Sequence, residues 1–381
     1  MAPEPILPEE ARRRKIVGVN AETVTNVTST DFPGHHPGED HEWSLEKFDQ
    51  NFQIQFHKND SLDASFSLIG IDASIANAFR RIMIAEIPTL AIETVFVHNN
   101  TSIVQDEVLS ARLGLVPLTA SLSGLNWLQF YKKSATPDDD DEGGDDRDAA
   151  ADNNTVVLKL YVECEWRGAE GVKSGETDPE KLYVNSSVYA KQITFEPTGR
   201  QNQEFPEPDG HVRPVNPEIL LAKMRPGQVI DLDMHCIKGI GADHAKFSPV
   251  ATATYRLLPT IDIVKPIIGN DARKFARCFP KGVIGLEDVT EEESEIGKEL
   301  EGMAGEKKAV VWNTFKDTVS RECLRHDEFQ GKVKLGRVRD HFIFSVESTG
   351  QFDSDYLFLE SVKTLKAKCS RLKRQFANVM R

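Results

Sequence analysis

Residues 74–118 read SIANAFRRIMIAEIPTLAIETVFVHNNTSIVQDEVLSARLGLVPL. Within this stretch Ile75, Phe79, Ile82 and Met83 recur at i, i+4, i+7 and i+8, one apolar stripe on a helix. Asp72 or Ser74 can cap that helix, because a side-chain oxygen there accepts from the free amides of the first turn. Pro88 ends it, having no N–H to continue the ladder. Arg80 and Arg81 lie beside the stripe as two planar guanidinium forks. Working outward to the N-terminal side, NFQIQFHKND (51–60) alternates Phe52, Ile54 and Phe56 with Gln53, Gln55 and His57. SLDASFSLIG (61–70) alternates again through Leu62, Ala64, Phe66 and Leu68. With Asn59-Asp60 between them these segments predict a β-hairpin that feeds the helix.

To the C-terminal side, from about Ala91 to Ile263, short strands dominate. TVVLKLYVECEW (155–166) sets Val156, Leu158, Leu160, Val162 and Cys164 against Val157, Lys159, Tyr161 and Glu163. GQVIDLDMHCIKGIG (227–241) places Ile230, Leu232, Met234 and Cys236 on one face and Asp231, Asp233 and His235 on the other. ATATYRLLPTIDIV (251–264) is a further strand, and Gly, Pro and Asn punctuate the gaps. The pattern then changes back. HFIFSVEST (341–349) is a strand, followed by a helix of about 25 residues starting near Ser354. The apolar positions of that helix are Phe358, Val362, Leu365, Cys369, Leu372, Phe376 and Val379, spaced alternately by four and three. This a/d repeat is a narrower seam than a helix lying only on its own sheet requires, and it predicts a helix partly facing another helix, of this chain or of a different one, with packing inside the chain alone as the other reading. Mixed α and β pieces at both ends thus enclose a β-rich middle.

The chain has 381 residues, 39% of them hydrophobic, enough for two or three domains. Its net charge of −14 is local. Residues 137–152 hold nine acids and one Arg, and residues 286–301 hold eight acids and one Lys, so the remainder is near neutral. Such blocks are ordinarily solvated. Residues 354–381 carry the opposite bias, seven basic side chains to two acidic. The first 40 or so residues are rich in Pro, Thr and Ser and are expected to form an arm lying on something else. RRRK at 12–15 is a weak localisation signal. No run of 18 apolar residues exists and the N-terminus has no apolar h-region, so neither a membrane span nor a secretory signal is expected. The five cysteines, at 164, 236, 278, 323 and 369, never approach closer than 42 positions, which leaves no CxxC metal signature. A cytosolic or nuclear protein is expected.

Catalytic signatures are weak. Gly239-Ile240-Gly241 follows a strand, but Pro249 keeps the next segment from forming the helix a dinucleotide site needs. Asp231, Asp233, His235 and His244 could be imagined as an acid/base or metal cluster, yet strand alternation accounts for the first three. His35, His36 and His41 lack partners at ligand spacing, and there is no P-loop, GxSxG or HExxH. No enzyme, cofactor or metal is expected.

Three segments carry a resemblance. Asn77, Ala78, Arg80 and Arg81, then Asp106, Glu107, Leu109, Arg112, Gly114, Leu115, Pro117 and Leu118, reproduce the N-A-x-R-R and D-E-x-L-x-x-R-x-G-L-x-P-L pattern of the α-type assembly subunits of multisubunit RNA polymerases. GIGADHAKFSPVATATYRLLP (239–259) resembles the G-x-G-x-x-H-A-K-x-S-P segment of the eukaryotic and archaeal members. Residues 317–350, together with VTNVTSTDFPG at 24–34, are similar in particular to the large α-like subunits shared by nuclear polymerases I and III.

The resemblance implies an α+β fold: a discontinuous RNA polymerase alpha-type dimerisation domain with an inserted β-rich domain. It divides the chain into an arm (1–44), a first dimerisation segment (45–92), the insert (93–264, with the acidic loop 137–152), a linker with the second acidic tract (265–306) and a second dimerisation segment ending in the C-terminal helix (307–381). It implies a non-catalytic scaffold of nuclear polymerases I and III, in the nucleus including the nucleolus, with the active site on other chains. The partners would be a small α-like subunit, as a heterodimer, and the largest and second-largest polymerase subunits, with little DNA contact because the acidic tracts cannot neutralise phosphates. The heterodimer contact is expected at Ile75, Phe79, Ile82, Met83, Phe358, Val362, Leu365, Cys369, Leu372 and Phe376. Contact with the large subunits is expected at Arg80, Arg81, His244 and Lys246. The rivals are a homodimeric scaffold and, from another class, a stand-alone enzyme using the 231–244 strand face. The Cys-rich zinc loop and the iron–sulfur domain of some family members have no counterpart here, so no metal is carried over.

Overall fold

The structure is a computed structural model, and it describes residues 13–27, 42–131, 150–168, 177–208, 210–296 and 300–380. Most of the acidic tract 137–152, some of the second tract, and His35, His36 and His41 lie outside the described residues. The longer strands are β1 (Ile16–Val19), β2 (Val24–Thr25), β3 (Gln53–Asn59), β4 (Asp63–Ile69), β5 (Thr89–Asn100), β6 (Thr155–Glu163), β7 (Thr194–Glu196), β8 (Val229–Gly239), β9 (Val250–Ile263), β10 (Ile284–Asp288), β11 (Lys307–Val311) and β12 (Val333–Ser348). The helices used below are α1 (Leu45–Asn51), α2 (Ala73–Ala85), α3 (Asp106–Gly114), α4 (Leu122–Trp127), α5 (Gly269–Arg277) and α6 (Ser354–Val379). The α+β class is as expected. The chain divides into two compact units, residues 1–57, 65–77 and 254–344 in one and 58–64, 78–253 and 345–381 in the other.

The first unit is organised on a six-stranded sheet of order β2-β1-β12-β4-β3, with β9 also paired to β12. Alternation dictates its core: Phe66, Leu68, Phe342 and Phe344 are fully buried, and the Phe66 and Phe344 rings stack with centroids 5.3 Å apart. The arm expected over 1–44 is not wholly apart from the fold. Ile16 to Val19 pair antiparallel with Val338 to Leu335. The chain then folds back on itself through Asn26, which sits at φ 59 and donates from Nδ2 to the Ile16 carbonyl at 2.7 Å. The β-branched run Ile-Val-Gly-Val supplies the strand, and Gly18 lets Thr25 close in, since a Cβ there would lie 2.5 Å from Thr25 Oγ1.

Residues 265–306, expected as a linker, are largely folded. The α5 helix and the antiparallel β10–β11 pair build a second core. Its centre is Phe275, whose ring lies 5.0 Å from Phe279 and 5.2 Å from Phe329. The apolar positions are too short and scattered to show a period beside an acidic tract, and they become a core only when residues 323–333 close over them.

Fully buried Ser67 lies between two imidazoles, with its Oγ 2.7 Å from His57 Nε2 and 2.9 Å from His341 Nε2. Burial, joined by the nearby His57, holds His341 below its ordinary value of 6.5 against the opposing pull of Asp340. The unfolded chain therefore binds this proton more readily than the folded one. The contribution is complete above 6.5 and is lost as pH falls from there through the lower folded-state value. Replacing His341 by Asn is expected to reduce the difference in urea midpoint between about pH 7.5 and about pH 5.5. An unchanged difference would remove His341 from this role.

The second unit holds a four-stranded sheet of order β7-β6-β8-β5. Ile230, Leu232, Met234 and Cys236 face inward from β8, as alternation requires, and meet Val156, Leu158 and Leu160 of β6 and Leu109 and Leu113 of α3 in one cluster. Helix α6 spans about 39 Å at 1.5 Å per residue. Its first turn is tied to the β3–β4 turn. Ser354 donates from N to the Ser61 carbonyl at 2.9 Å and from Oγ to the Asp60 carbonyl at 2.7 Å, while Ser61 Oγ donates to Asp353 Oδ1 at 2.6 Å.

Candidate subunit interface

Asp72 caps α2, accepting from the Ser74 amide at 2.9 Å and from the Ser74 hydroxyl. The hydroxyl, helped by the first-turn amides, holds its carboxyl below the usual carboxylate range. The other end of α2 receives the GIG segment: Ala242 N donates to the Ala85 carbonyl at 2.9 Å. Both glycines are needed for this approach. A Cβ on Gly241 would lie 2.1 Å from the Ile84 carbonyl oxygen, and one on Gly239 would lie 2.7 Å from the Phe247 ring. The GxG is therefore a packing device. Gly241→Ala should cost on the order of 1–3 kcal/mol, read from the denaturant midpoint. A midpoint within error of wild type would mean the loop yields freely.

The motif residues beyond α2 are mostly structural. Arg112 Nη2 donates to the Leu220 carbonyl at 2.6 Å, and Asp106 Oδ1 accepts from Asn100 Nδ2 at 2.6 Å. His244 Nδ1 accepts from the Lys246 amide at 3.1 Å, capping the single turn Ala245–Phe247, and its side chain is exposed. Lys246 departs from the expectation of a large-subunit contact. Its ammonium donates to the Ile92 carbonyl at 2.8 Å and to the Glu93 carboxylate, and the side chain is 11% exposed. The Ile92 carbonyl and the Glu93 carboxylate of β5 claim it because the loop lies against the strand. Arg81 is exposed, whereas Arg80 is partly buried and engaged within the chain.

The residues expected at the heterodimer contact separate into two groups. Phe79 (9% exposed), Ile82, Met83 and Phe358 are covered by this chain itself, with the Phe79 ring edge-on to Phe358 at 5.5 Å between centroids. These four are buried within this chain's own interior. The clasp pins the start of α6, where Leu357, Phe358 and Ser361 are buried and Phe358 meets Phe79 of α2. Ile75, Val362 and Cys369 are exposed and Leu365 is half-buried. Leu372, Phe376 and Val379 are 51%, 65% and 85% exposed. Past Leu365 the helix is tethered by Lys368, whose Nζ lies 2.7 and 2.8 Å from the two Glu86 carboxylate oxygens. Four turns of a continuous apolar seam thus stand uncovered among the described residues.

The rival strand face is assembled as alternation foretold. His98 Nε2 lies 2.9 Å from Asp233 Oδ2, and His235 stands edge-on to Phe96 at 4.7 Å, while His244 lies on the loop after β8. Among the described residues no group of three His, Cys, Asp or Glu could hold a metal ion. Cys164, Cys236 and Cys323 are buried in cores, and burial pushes the Cys323 thiol up to about 12. The clasp of Ser61, Asp353 and Ser354 carried no sequence signal, because it joins positions almost 300 apart.

A helix whose first half packs within its own chain and whose second half carries an uncovered heptad seam fits the class of assembly subunits. Residues 65–369 match the family described as the RNA polymerase Rpb3/Rpb11 dimerisation domain, and the chain belongs to that family. It is 50% identical over 358 residues to the DNA-directed RNA polymerases I and III subunit RPAC1 of Saccharomyces cerevisiae, covering 94% of this chain and 97% of that one. It is 46% identical over 363 residues to the human protein of the same name, with 95% of each chain covered. To the DNA-directed RNA polymerase II subunit rpb3 of Dictyostelium discoideum it is 28% identical over 337 residues, 85% of this chain and 93% of that one.

Proposed function

We propose that this chain is the non-catalytic α-type scaffold subunit of nuclear RNA polymerases I and III. It pairs with a small α-like subunit and gives the two largest subunits a platform on which to assemble. The enzyme's active site lies on those other chains, and the complex works in the nucleus, including the nucleolus, where it serves ribosome biogenesis. The observation that carries this is the seam of Val362, Cys369, Leu372 and Phe376, exposed on α6 with Leu365 half-buried in the same row. Burying it at about 25 cal/mol per Å² of apolar surface supplies much of the association free energy. Ile75 lies at the start of the α2 stripe and is exposed, so it is retained as a partner-contact residue. Arg81 and His244, both exposed, are the remaining candidates for large-subunit contact.

The test is co-purification of the tagged full chain from nuclei with identification of the bound chains, together with its size alone and with the small α-like subunit. Recovery of subunits of polymerases I and III and a one-to-one heterodimer is expected. A soluble homodimer that ignores the small subunit would overturn the proposal.

A further inference from the structure

The exposed seam of α6 is bordered along one flank by lysines. Phe358, Leu365, Leu372 and Val379 occupy d positions, and Val362, Cys369 and Phe376 occupy a positions. Beside the exposed seam the e positions are then Lys366 and Lys373, and the g positions on the other flank are Lys368 and Gln375. From Ser361 to Val379 the helix holds no Asp or Glu, while Lys or Arg recurs in each turn as far as Arg374. Lys366 and Lys373 are exposed. Lys368 is already met by Glu86 of this chain.

This arrangement discriminates among occupants. A second copy of the chain would bring lysine against lysine beside the seam, and like charges so placed oppose pairing. Nucleic acid would neutralise the lysines but would set Leu372, Phe376 and Val379 against a charged backbone, wasting the apolar surface. A helix with its own apolar a/d positions and carboxylates at the flanks satisfies both features. We infer that the basic flank of α6, Lys366 and Lys373, selects its partner: the seam takes a helix of a non-identical chain that bears Asp or Glu beside its apolar positions, and it rejects a second copy of this chain. The inference rests on the assembly role proposed above and adds to it the means by which the partner is chosen.

The test uses the full chain and the small α-like subunit of the same organism, with four proteins compared: wild type, the double variants Lys366→Glu/Lys373→Glu and Lys366→Arg/Lys373→Arg, and Leu372→Asp. Affinity is measured near 0.1 M and near 1 M salt, where screening lengths are about 10 and 3 Å. At low salt the double variant is expected to bind about tenfold or more weakly than wild type, and the gap should narrow at high salt. Lys366→Arg/Lys373→Arg should bind as wild type does. If the double variant binds like wild type while Leu372→Asp fails, the seam stands and charge selection falls. If all variants bind like wild type, the assembly surface itself is misplaced and both fall. If the double variant keeps the partner but loses a nucleic-acid duplex that wild type binds at physiological salt, the lysines serve phosphates and the inference is overturned.

Discussion

Leu372→Asp is expected to abolish capture of the small α-like subunit proposed as partner while leaving this chain folded. Leu372 is 51% exposed in the isolated chain, on a stretch of α6 whose described neighbours are all exposed except Lys368. The substitution removes nothing from the chain's own core, so its unfolding midpoint should move by no more than about 0.5 kcal/mol, the range of ordinary surface changes. In the complex the same position is central to the seam. Losing a leucine side chain there forfeits about 1.5–3 kcal/mol of apolar burial. A carboxylate without a partner adds a further cost of at least about 1–3 kcal/mol. Together these weaken binding by roughly a hundredfold or more. Analytical size measurement of the mixed proteins checks the loss, and a melt of the variant alone checks the fold. Retained heterodimer would place the partner elsewhere.

Phe79→Asp has the opposite signature. Phe79 is 9% exposed and packs edge-on against Phe358, so the damage falls on this chain and not on its association. Removing a core phenylalanine costs about 3–5 kcal/mol, and an unpaired carboxylate in its place adds more. The sum is comparable with the about 5–15 kcal/mol that holds an ordinary domain together. Loss of soluble protein, or a cooperative transition shifted far down in urea, is expected even in the absence of any partner. A soluble variant with a wild-type midpoint would show that the α2 stripe is not core. The two variants thus separate positions that share one periodic pattern in the sequence.

The strands that alternate cleanly were legible. Ile230, Leu232, Met234 and Cys236 face one way and Asp231, Asp233 and His235 the other because a strand has period two, whatever surrounds it. Helix α6 was legible to within a residue or two for the same kind of reason, from its period and the start signal near Ser354. The region 265–306 was not, since its core needs residues 323–333, which lie beyond it in sequence. The β1–β12 pairing joins positions more than 300 apart and left no local trace beyond a short β-branched run. Lys246 looked like a free cation by composition, and only the placement of its loop against β5 gave it Ile92 and Glu93 as partners.

Sequence by itself determined which residues are apolar in register and therefore that α2 and α6 each own one stripe, that the middle is β-rich, and that the motifs are those of an assembly subunit. It could not say how far each stripe is already covered. That was decided by tertiary structure, through three hydrogen bonds among Asp60, Ser61, Asp353 and Ser354 that pin the start of α6. Period is a local property of the backbone, fixed by 3.6 residues per turn, whereas coverage depends on contacts between distant segments. Pinned at one end, a helix about 39 Å long outruns the body that anchors it, and its last four turns keep their apolar seam in the open.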